Sequence, residues 1–331
     1  METNMLKEAY DYFNQDVLNE FLDRYGAEKE SIKNLNGFES FVYEIRNKQG
    51  EYVLKISYSL EEAERKLQSE IQFIDYLFAN GISVSTCINS IYGNKIEKRQ
   101  EGNGSFYCRV YTKALGKKVS KEQWNDKLFK DWGRVMGKMH RLAKAFTPSE
   151  NFYRHHWNEI DRLNLERYLP AGNDIIIQKM DKLMLHLNAI KRTDENYGLI
   201  HSDLHHGNFF MHDNKMTVFD FDDIEYSWFI NDIAIVLFYA VYWSPLAKDI
   251  EDYPKYFFDN FITGYVQECS IDKNLFKEIP YFLKFRQIIL YAALCEAFDF
   301  HNLKENQRDL LNKFKYEIEH DIQLINLAEL Y

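Results

Sequence analysis

Apolar residues in the first third of the chain recur at two spacings, which predict two kinds of element. One stripe of apolar residues at helical spacing predicts a helix over residues 1–25, and a second amphipathic stretch predicts a helix over 61–79. Alternation of apolar and polar residues predicts two strands joined by a turn at 47–50. The strands lie at 41–45 and 52–56, and further strands are predicted at 90–92, 96–98 and 106–112.

The pattern becomes helical after residue 112, and no internal repeat is visible. We therefore predict an α+β protein with a two-lobed organisation. A small β-rich N-terminal domain would span residues 1–112, a large, mainly helical domain would span 113–331, and a hinge would lie at about 111–118. The helices predicted in the second domain are 124–146, 157–167, 175–189, 232–242, 253–269, 277–300 and 307–327.

Composition narrows the class of protein. The chain has 331 residues, of which 46% are apolar and 28% are charged, so it can bury a sizeable core. Its net charge of -10 argues against a nucleic-acid partner, and its longest apolar run, 233–243, is too short for a membrane span. The four cysteines are scattered, which argues against a disulfide framework and a structural zinc site. We expect a reduced, cytoplasmic protein, with its oligomeric state left open.

One segment, 199–226, breaks the helical pattern. Two short apolar runs, 209–211 and 216–219, flank a polar turn at 212–215, which predicts a hairpin. A hairpin brings its outer ends together. We therefore expect Asp203 and Asn208 at its entrance to face Asp220 and Asp222 at its exit.

This arrangement of residues suits phosphoryl transfer. The carbonyl oxygen of Asn208 and the carboxylates of Asp220 and Asp222 are the hard ligands that Mg²⁺ prefers. Asp203 is placed to accept a proton from a hydroxyl nucleophile or to orient it.

Two alternatives to this interpretation remain. One is a surface hairpin with ordinary polar turn residues. The other is a zinc site that uses Asp203 with His201, His205 and His206, although Gly207 and Asn208 leave no helix to carry the histidine pair.

The spacing His201-x-Asp203-x4-Asn208, followed by Asp220, resembles the catalytic loop and the metal-binding aspartate of protein kinases. It is more similar to the aminoglycoside phosphotransferase and choline kinase superfamily, which carries His-Gly-Asp-Leu-His-x-Gly-Asn followed by a hydrophobic-Asp-Phe-Asp/Glu strand end. Here the motifs are 201–208 and 219–222, with Ser202 in place of glycine and His206 in place of the common proline. The resemblance implies a protein-kinase-like fold, ATP and Mg²⁺ as cofactors, and transfer of the γ-phosphoryl group to a hydroxyl.

The resemblance also implies roles in the N-terminal domain. Lys55 matches the strand lysine that contacts the α- and β-phosphates, and Glu70 is its expected carboxylate partner, with Glu62 and Glu64 as competitors. Ser40, in the loop 36–40, is expected to approach phosphate.

The resemblance also implies residues that bind adenine and residues that support the catalytic loop. The strand and hinge residues Tyr111 and Lys113 are expected to present backbone groups to adenine. His201 and Asp232 are expected to support the catalytic loop, and a simple helix N-cap is the alternative for Asp232.

The acceptor is expected to be a small, cationic molecule. The short distance between Asp222 and the next predicted helix leaves no room for the activation segment of a protein kinase. Residues 201–300 contain 16 acidic and 7 basic residues, which favours a cation such as an aminoglycoside or an amino-alcohol. The alternatives are a bacterial stress-response type of protein serine/threonine kinase and a non-catalytic nucleotide-binding relative. Candidate acceptor-binding residues are Asp223, Glu225, Tyr226, Trp228, Glu296 and Asp299.

Overall fold

The computed structural model describes residues 8–37, 40–60, 63–247, 249–250, 252–323 and 325. The chain divides into two compact units. The first contains residues 1–117 together with 147–154 and 210–222, and the second contains 118–146, 155–209 and 223–331.

The first unit is built on an antiparallel sheet. Strands β1 (Lys33–Asn34), β2 (Phe41–Asn47), β3 (Gly50–Ser59), β4 (Cys87–Ile88), β5 (Glu97–Glu101) and β6 (Gly104–Thr112) form it in the order β1-β2-β3-β6-β4, with β5 also paired to β6. The β2–β3 hairpin closes where predicted, since Asn47 pairs with Gly50 and the Asn47 side chain accepts the N–H groups of Gln49 and Gly50.

Helices complete this unit. A helical turn at residues 8–12 precedes α1 (Gln15–Arg24), and α2 spans Glu64–Ala79. Asn14 caps α1 by accepting from two backbone N–H groups, and the apolar face of α1 is buried against the sheet residues Leu54, Ile56 and Phe106. The first seven residues of the predicted N-terminal helix, and residues 61–62 of the next, lie outside the described residues.

Several predicted elements differ from the structure. The helix predicted over residues 1–25 is interrupted at 13–14, where Asn14 caps α1. Residues 90–92 form no strand, because Ser90 accepts backbone N–H groups from Tyr92 and Asn94 and closes a turn; the short strand lies earlier, at β4. The helix predicted at 157–167 is replaced by a 3₁₀ turn at Asp161–Leu163 and by the one-turn helix α4 (Leu165–Tyr168).

The second unit is mainly helical. Its other helices are α3 (Asp126–Ala145), α5 (Asp174–Ala189), α6 (Phe229–Tyr242), α7 (Tyr253–Tyr265), α8 (Ile279–Ala297) and α9 (Glu305–Glu319). Each matches a predicted helix to within a few residues, except that α9 ends well before residue 327. Helix α6 is buried along nearly its whole length and packs on α8.

Helices α3 and α7 approach unusually closely. A Cβ atom at Gly133 or Gly264 would collide with the main-chain oxygen of Phe261 or Lys130 on the facing helix. Glycine at these positions therefore permits the close packing, which places Tyr265 at the end of α7 beside His140 on α3.

The predicted hairpin is present. Strands β8 (Phe209–His212) and β9 (Lys215–Val218) pair with each other, and a separate ribbon pairs β7 (Tyr197–Ile200) with β10 (Glu225–Trp228). Residues 210–222 of this region belong to the sheet-containing unit, where Val84 forms a bridge with Val218. All four cysteines are free and buried, and no helix among the described residues has the length and hydropathy to cross a bilayer.

Candidate active site

A buried aspartate supports the motif loop, which we define as residues 201–208. The Asp232 carboxylate accepts the backbone N–H groups of His201 and Ser202, each at 3.0 Å. Asp232 is in the first turn of α6, three residues after the helix begins, so it is not the N-cap residue. Two fixed hydrogen bonds hold the backbone of the loop immediately before Asp203.

A histidine and a tyrosine hold that aspartate in turn. His140 Nε2 lies 2.9 Å from Asp232 Oδ2, and His140 Nδ1 lies 2.9 Å from the Tyr265 hydroxyl. His140 and Asp232 are essentially fully buried. The chain of contacts runs from α7 through α3 to α6 and then to the motif loop, so His140 packs and hydrogen-bonds beneath the loop.

Ser202 shows why a glycine is usual at its position in the superfamily. Its backbone φ is +64°, in the left-handed region that glycine adopts without strain. Here the Ser202 hydroxyl donates to Glu225 Oε1 at 3.1 Å, a buried hydrogen bond that offsets part of the backbone cost.

Asp203 is held at both carboxylate oxygens. Its Oδ1 forms an ion pair with Arg286 of α8, and its Oδ2 accepts from Asn208 Nδ2 at 2.9 Å. Burial by itself would raise the pKa of the Asp203 carboxyl. The Arg286 guanidinium and the neighbouring His205 lower it by more than burial raises it, so the net pKa lies below its ordinary value. Asp203 is therefore a carboxylate at neutral pH.

Arg286 was not predicted from the sequence, because it lies in no motif. The only signal for it is an arginine in a helix whose neighbouring positions are mostly apolar and buried. Such a charge needs a partner inside the protein.

The side chain of Asn208 has a defined orientation. Its Nδ2 donates both to the main-chain oxygen and to the carboxylate of Asp203, each at 2.9 Å. With the amide nitrogen committed in this way, the carbonyl oxygen of Asn208 is the atom left to bind a cation, as the predicted role requires.

In the sheet-containing unit, Lys55 lies between two aspartates. Its Nζ is 2.8 Å from Asp220 Oδ1 and 2.5 Å from Asp222 Oδ2. Burial lowers the pKa of the Lys55 ammonium, but the two carboxylates outweigh burial and hold that pKa above its ordinary value. Asp220 has a φ of +66°, which places a non-glycine residue in the left-handed region at this functional position.

The predicted pairing of Lys55 with Glu70 is wrong. Lys55 lies directly opposite Arg109 in the β3–β6 register, so two cations share one face of the sheet. Glu70 is bound to Arg109, with 2.7 Å between Glu70 Oε2 and Arg109 Nη1, and it accepts the Tyr111 hydroxyl at 2.6 Å. Because Arg109 is fully buried, it needs the buried carboxylate, and Lys55 is paired with the aspartates instead.

The other nucleotide-binding candidates have varied surroundings. Ser40 is half-buried beside Gly37, where a Cβ would collide with the Ser40 main-chain oxygen, but Phe38 and Glu39 of this loop lie outside the described residues. Glu62, a competitor for the role of Glu70, also lies outside them. The ammonium of Lys113 is paired with Glu44 and Glu51, at 2.8 and 2.9 Å.

Two of the acceptor-binding predictions are wrong. Trp228 is completely buried, packed against the rings of Trp157 and Tyr197, and so exposes no surface to a ligand. Glu225 is also buried, where it accepts from Ser202 and lies 3.5 Å from His155.

Three of the other acceptor-binding candidates keep accessible surface, and the fourth, Glu296, has only 10% of its side chain exposed. Asp223 and Asp299 are exposed, and Tyr226 is half-buried. Glu296 Oε2 lies 3.5 Å from Arg162 Nε.

The zinc alternative finds no support. Among the residues that the structure describes, no group of three or more His, Cys, Asp or Glu side chains is placed to hold a metal ion. The oxygen donors of Asn208 and Asp220 are of a different kind, which suits a hard divalent cation.

These observations define a class of protein. Kinase-type phosphoryl transfer uses a loop that carries a carboxylate and is held by buried contacts. It also uses a lysine bound to aspartates, which here follow the hairpin. Two solved proteins with this fold are an amicoumacin kinase and an aminopropanol kinase. The chain has a protein-kinase-like fold and is an ATP-dependent small-molecule phosphotransferase.

The family follows from the sequence match. Residues 31–264 match the phosphotransferase enzyme family, and the chain belongs to that family. It is 37% identical over 312 residues to amicoumacin kinase of Bacillus subtilis strain 168, and the match covers 93% of each chain. The predicted superfamily, the fold class and the small-molecule kinase activity are confirmed.

Two solved structures show how far the likeness extends. The amicoumacin kinase hAmiN, in complex with AMP-PNP, Ca²⁺ and Ami, is 34% identical with a TM-score of 0.93, and the match covers 99% of this chain and 100% of that one. A microcompartment-associated aminopropanol kinase is 16% identical with a TM-score of 0.73, over 92% of this chain and 95% of that one. The second similarity concerns the fold alone.

Proposed function

We propose that this protein transfers the γ-phosphoryl group of ATP to a hydroxyl group of amicoumacin or of a closely similar small, cationic molecule. The observation that carries the proposal is the identity of 37% to an amicoumacin kinase, spread over 93% of both chains. The amicoumacin kinase of known structure, whose complex contains AMP-PNP, Ca²⁺ and Ami, supports it. Identity of this size over 93% of both chains supports a shared acceptor as well as a shared fold.

The donor is proposed to be ATP bound with Mg²⁺. Asn208, Asp220 and Asp222 would hold the metal ion, which neutralises phosphate charge when it is bound. The free carbonyl oxygen of Asn208 and the ability of Asp220 and Asp222 to bind a cation, as they bind Lys55, support this assignment. Lys55 would contact the α- and β-phosphates, the loop at Ser40 would approach phosphate, and the backbone near Tyr111 and Lys113 would contact adenine.

Asp203 is proposed to act on the acceptor hydroxyl. Its pKa lies below the ordinary value, so it is a weak base that is ionised throughout the neutral range. Such a carboxylate orients the hydroxyl by accepting its hydrogen bond and takes the proton as the bond to phosphorus forms. His201 and Asp232 would keep the loop in place.

The acceptor's positive charge is proposed to be bound by acidic and aromatic residues of the helical unit. Asp223 and Asp299 retain the charge and the accessible surface that this role needs, and Tyr226 offers a half-buried ring. Glu296 is proposed for its charge alone, because only 10% of its side chain is exposed and it lies against Arg162. Glu225 and Trp228 are not part of this proposal.

An acceptor screen tests the proposed function. The purified protein is incubated with ATP and Mg²⁺ and, separately, with amicoumacin, aminopropanol, choline or spectinomycin. ADP release and the product's mass are then measured. We expect one phosphoryl group to be added to amicoumacin, and we expect amicoumacin to have the lowest KM of the four acceptors. Efficient phosphorylation of another acceptor, with none of amicoumacin, would contradict the proposed substrate.

The proposed metal ligand needs a separate test. We expect Asp220→Ala to abolish the Mg²⁺-dependent part of AMP-PNP binding, measured by calorimetry with and without Mg²⁺. Asp23→Ala is the matched control, because Asp23 forms a surface pair with Lys29 in the same unit. If Mg²⁺ strengthens binding equally in Asp220→Ala and wild type, Asp220 is not a ligand.

A further inference from the structure

An arginine from helix α8 is bound to the carboxylate that the proposed function places at the acceptor hydroxyl. Arg286 Nη2 donates to Asp203 Oδ1 and, at 2.7 Å, to the Tyr239 hydroxyl. The guanidinium also lies 5.1 Å from the centre of the Tyr239 ring. Only 16% of the Arg286 side chain and 18% of the Asp203 side chain are exposed, so the pair is shielded from solvent.

We propose that Arg286, held by Tyr239, is a positioning residue that fixes the orientation of the Asp203 carboxylate for the reaction. This inference rests on the proposed role of Asp203. Neither residue belongs to the motifs of the loop or of the hairpin.

The first argument is geometric. Asp203 Oδ2 is tied to Asn208 and Oδ1 to Arg286, so the plane of the carboxylate cannot rotate without breaking one of two charge-assisted hydrogen bonds. Oδ2 also lies 3.4 Å from His205 Nε2, so Oδ1 is the oxygen that keeps a second lone pair for an acceptor hydroxyl. A fixed carboxylate plane holds that lone pair in one direction, which the in-line attack on phosphorus requires.

The second argument concerns helix α6. Asp232 and Tyr239 are separated by about two helical turns and therefore lie on the same side of α6. Asp232 holds the backbone of the motif loop, and Tyr239 holds the arginine that binds the loop's side chain. One helix thus controls both the backbone and the carboxylate of the loop.

The third argument is energetic. Arg286 Nε is buried without a hydrogen-bond partner, and the guanidinium itself is removed from water. An apolar side chain would fill this position in α8 at lower cost, since a buried ion pair is weak evidence for stability. A costly charge that contacts the acting carboxylate is better explained by the reaction than by folding.

The arrangement has a consequence for the acceptor. Because Arg286 already neutralises Asp203, the positive charge of an acceptor is not drawn to that carboxylate. Removing Arg286 is therefore expected to slow the chemical step without weakening the binding of either substrate.

The experiment compares Arg286→Met, Arg286→Lys, Arg286→Ala and Tyr239→Phe with wild type, using the acceptor that the screen identifies. Lys284→Met, on the same helix and bonded to the main chain of Glu317, is the matched control. We expect Arg286→Met to lower kcat about 10²-fold with little change in either KM, because a misplaced catalytic group costs about that much. Tyr239→Phe loses one hydrogen bond, so its kcat is expected to fall about three- to tenfold.

Restoring a cation at position 286 distinguishes a positioning role of Arg286 from a purely structural one. Arg286→Lys restores a cation, so it is expected to recover part of kcat, and guanidinium ions added at concentrations below those that unfold the protein are expected to raise the rate of Arg286→Ala. Wild-type kcat in Arg286→Met would overturn the proposal. If Arg286→Met does not fold, wild-type kcat in Tyr239→Phe together with no guanidinium rescue would overturn it.

Asp203→Asn, assayed in parallel, keeps the two proposals apart. Full activity of Asp203→Asn would mean that the proposed role of Asp203 has failed. Loss of activity in Asp203→Asn together with a normal Arg286→Met would mean that only the inference on Arg286 has failed.

Discussion

Asp232 in the helical unit and Asp220 in the sheet-containing unit are both aspartates with polar partners, but their surroundings differ. Asp232 is fully buried and accepts from two backbone N–H groups and a buried histidine. Asp220 has 45% of its side chain exposed, and it is paired with Lys55, whose side chain is 14% exposed. The first arrangement is fixed by packing, whereas the second consists of charged side chains whose carboxylates are partly exposed.

The difference indicates how the two regions would work. Backbone donors and a packed histidine have no alternative partners, so Asp232 holds one loop conformation. A charged ligand can reach the Asp220 and Asp222 carboxylates, which are 45% and 31% exposed, whereas the Lys55 ammonium between them is largely buried. The Lys55 cluster (Lys55, Asp220 and Asp222) is thus suited to accept a charged ligand, and the Asp232 brace is suited to keep Asp203 still.

The largest expected effect comes from Asp203. Asp203→Asn should retain AMP-PNP binding and lose turnover by about 10²–10⁴-fold, because the amide cannot accept the proton of the hydroxyl. Steady-state kinetics and calorimetry measure the two quantities. The control is Asp259→Asn, which alters only a surface pair with Lys255. Equal losses of binding and turnover would break the distinction between the fixed and the exchangeable region.

The second-largest effect is expected at Asp232, the buried aspartate that holds the motif loop. Asp232→Asn replaces an oxygen that accepts buried N–H groups by an amide that donates, so we expect the free energy of unfolding to fall by about 3 kcal/mol. Denaturant unfolding followed by circular dichroism measures this change. A fall as small as that of the Asp259→Asn control would show that the brace is not a fixed structural element.

A smaller loss is expected at Glu70. Glu70→Gln leaves the buried Arg109 with a neutral neighbour at Glu70's position and only the longer contact of 3.5 Å to Asp222, so we expect the free energy of unfolding to fall by about 2 kcal/mol, without a matching loss of nucleotide affinity. Glu64→Gln, at the start of the same helix, is the control. Weaker AMP-PNP binding with unchanged stability would instead support the pairing of Glu70 with Lys55 that the sequence predicted.

The smallest expected effect is the contribution of His206 to the pH dependence of stability. Burial, with His205 and Lys118 nearby, lowers the pKa of His206 from its ordinary value of 6.5 to about 4. The unfolded chain therefore binds a proton at His206 more readily than the folded chain between those values, and stability is lost as the pH falls from 6.5 towards 4. His206→Gln should remove about 1 kcal/mol of this loss between pH 7 and 5, after allowance for partial exposure.

Thermal melts at both pH values measure the contribution of His206. His212→Gln is the comparison, because the His212 side chain is 53% exposed in the hairpin. If His206→Gln and wild type lose the same stability on acidification, His206 does not titrate in this range.

The amino-acid sequence by itself determined the strands and helices and the chemical groups of the candidate site. Hydrophobic periodicity located β2, β3, α5 and α6 to within a few residues, because side-chain burial follows the local repeat of the backbone. The motifs identified Asp203, Asn208 and Asp220 because their spacing along the loop and hairpin is itself local. The helix predicted at 157–167 failed, since the chain there is held by contacts from outside the segment, such as the backbone bond from Trp157 to Tyr226.

Only the tertiary structure decided which charges pair. Arg286 lies far along the chain from Asp203, and Arg109, not Lys55, takes Glu70. The chain contains 41 basic and 51 acidic residues, so local pattern leaves many partners available. The choice depends on strand register and helix packing, which set the distances between side chains and the water that each of them loses.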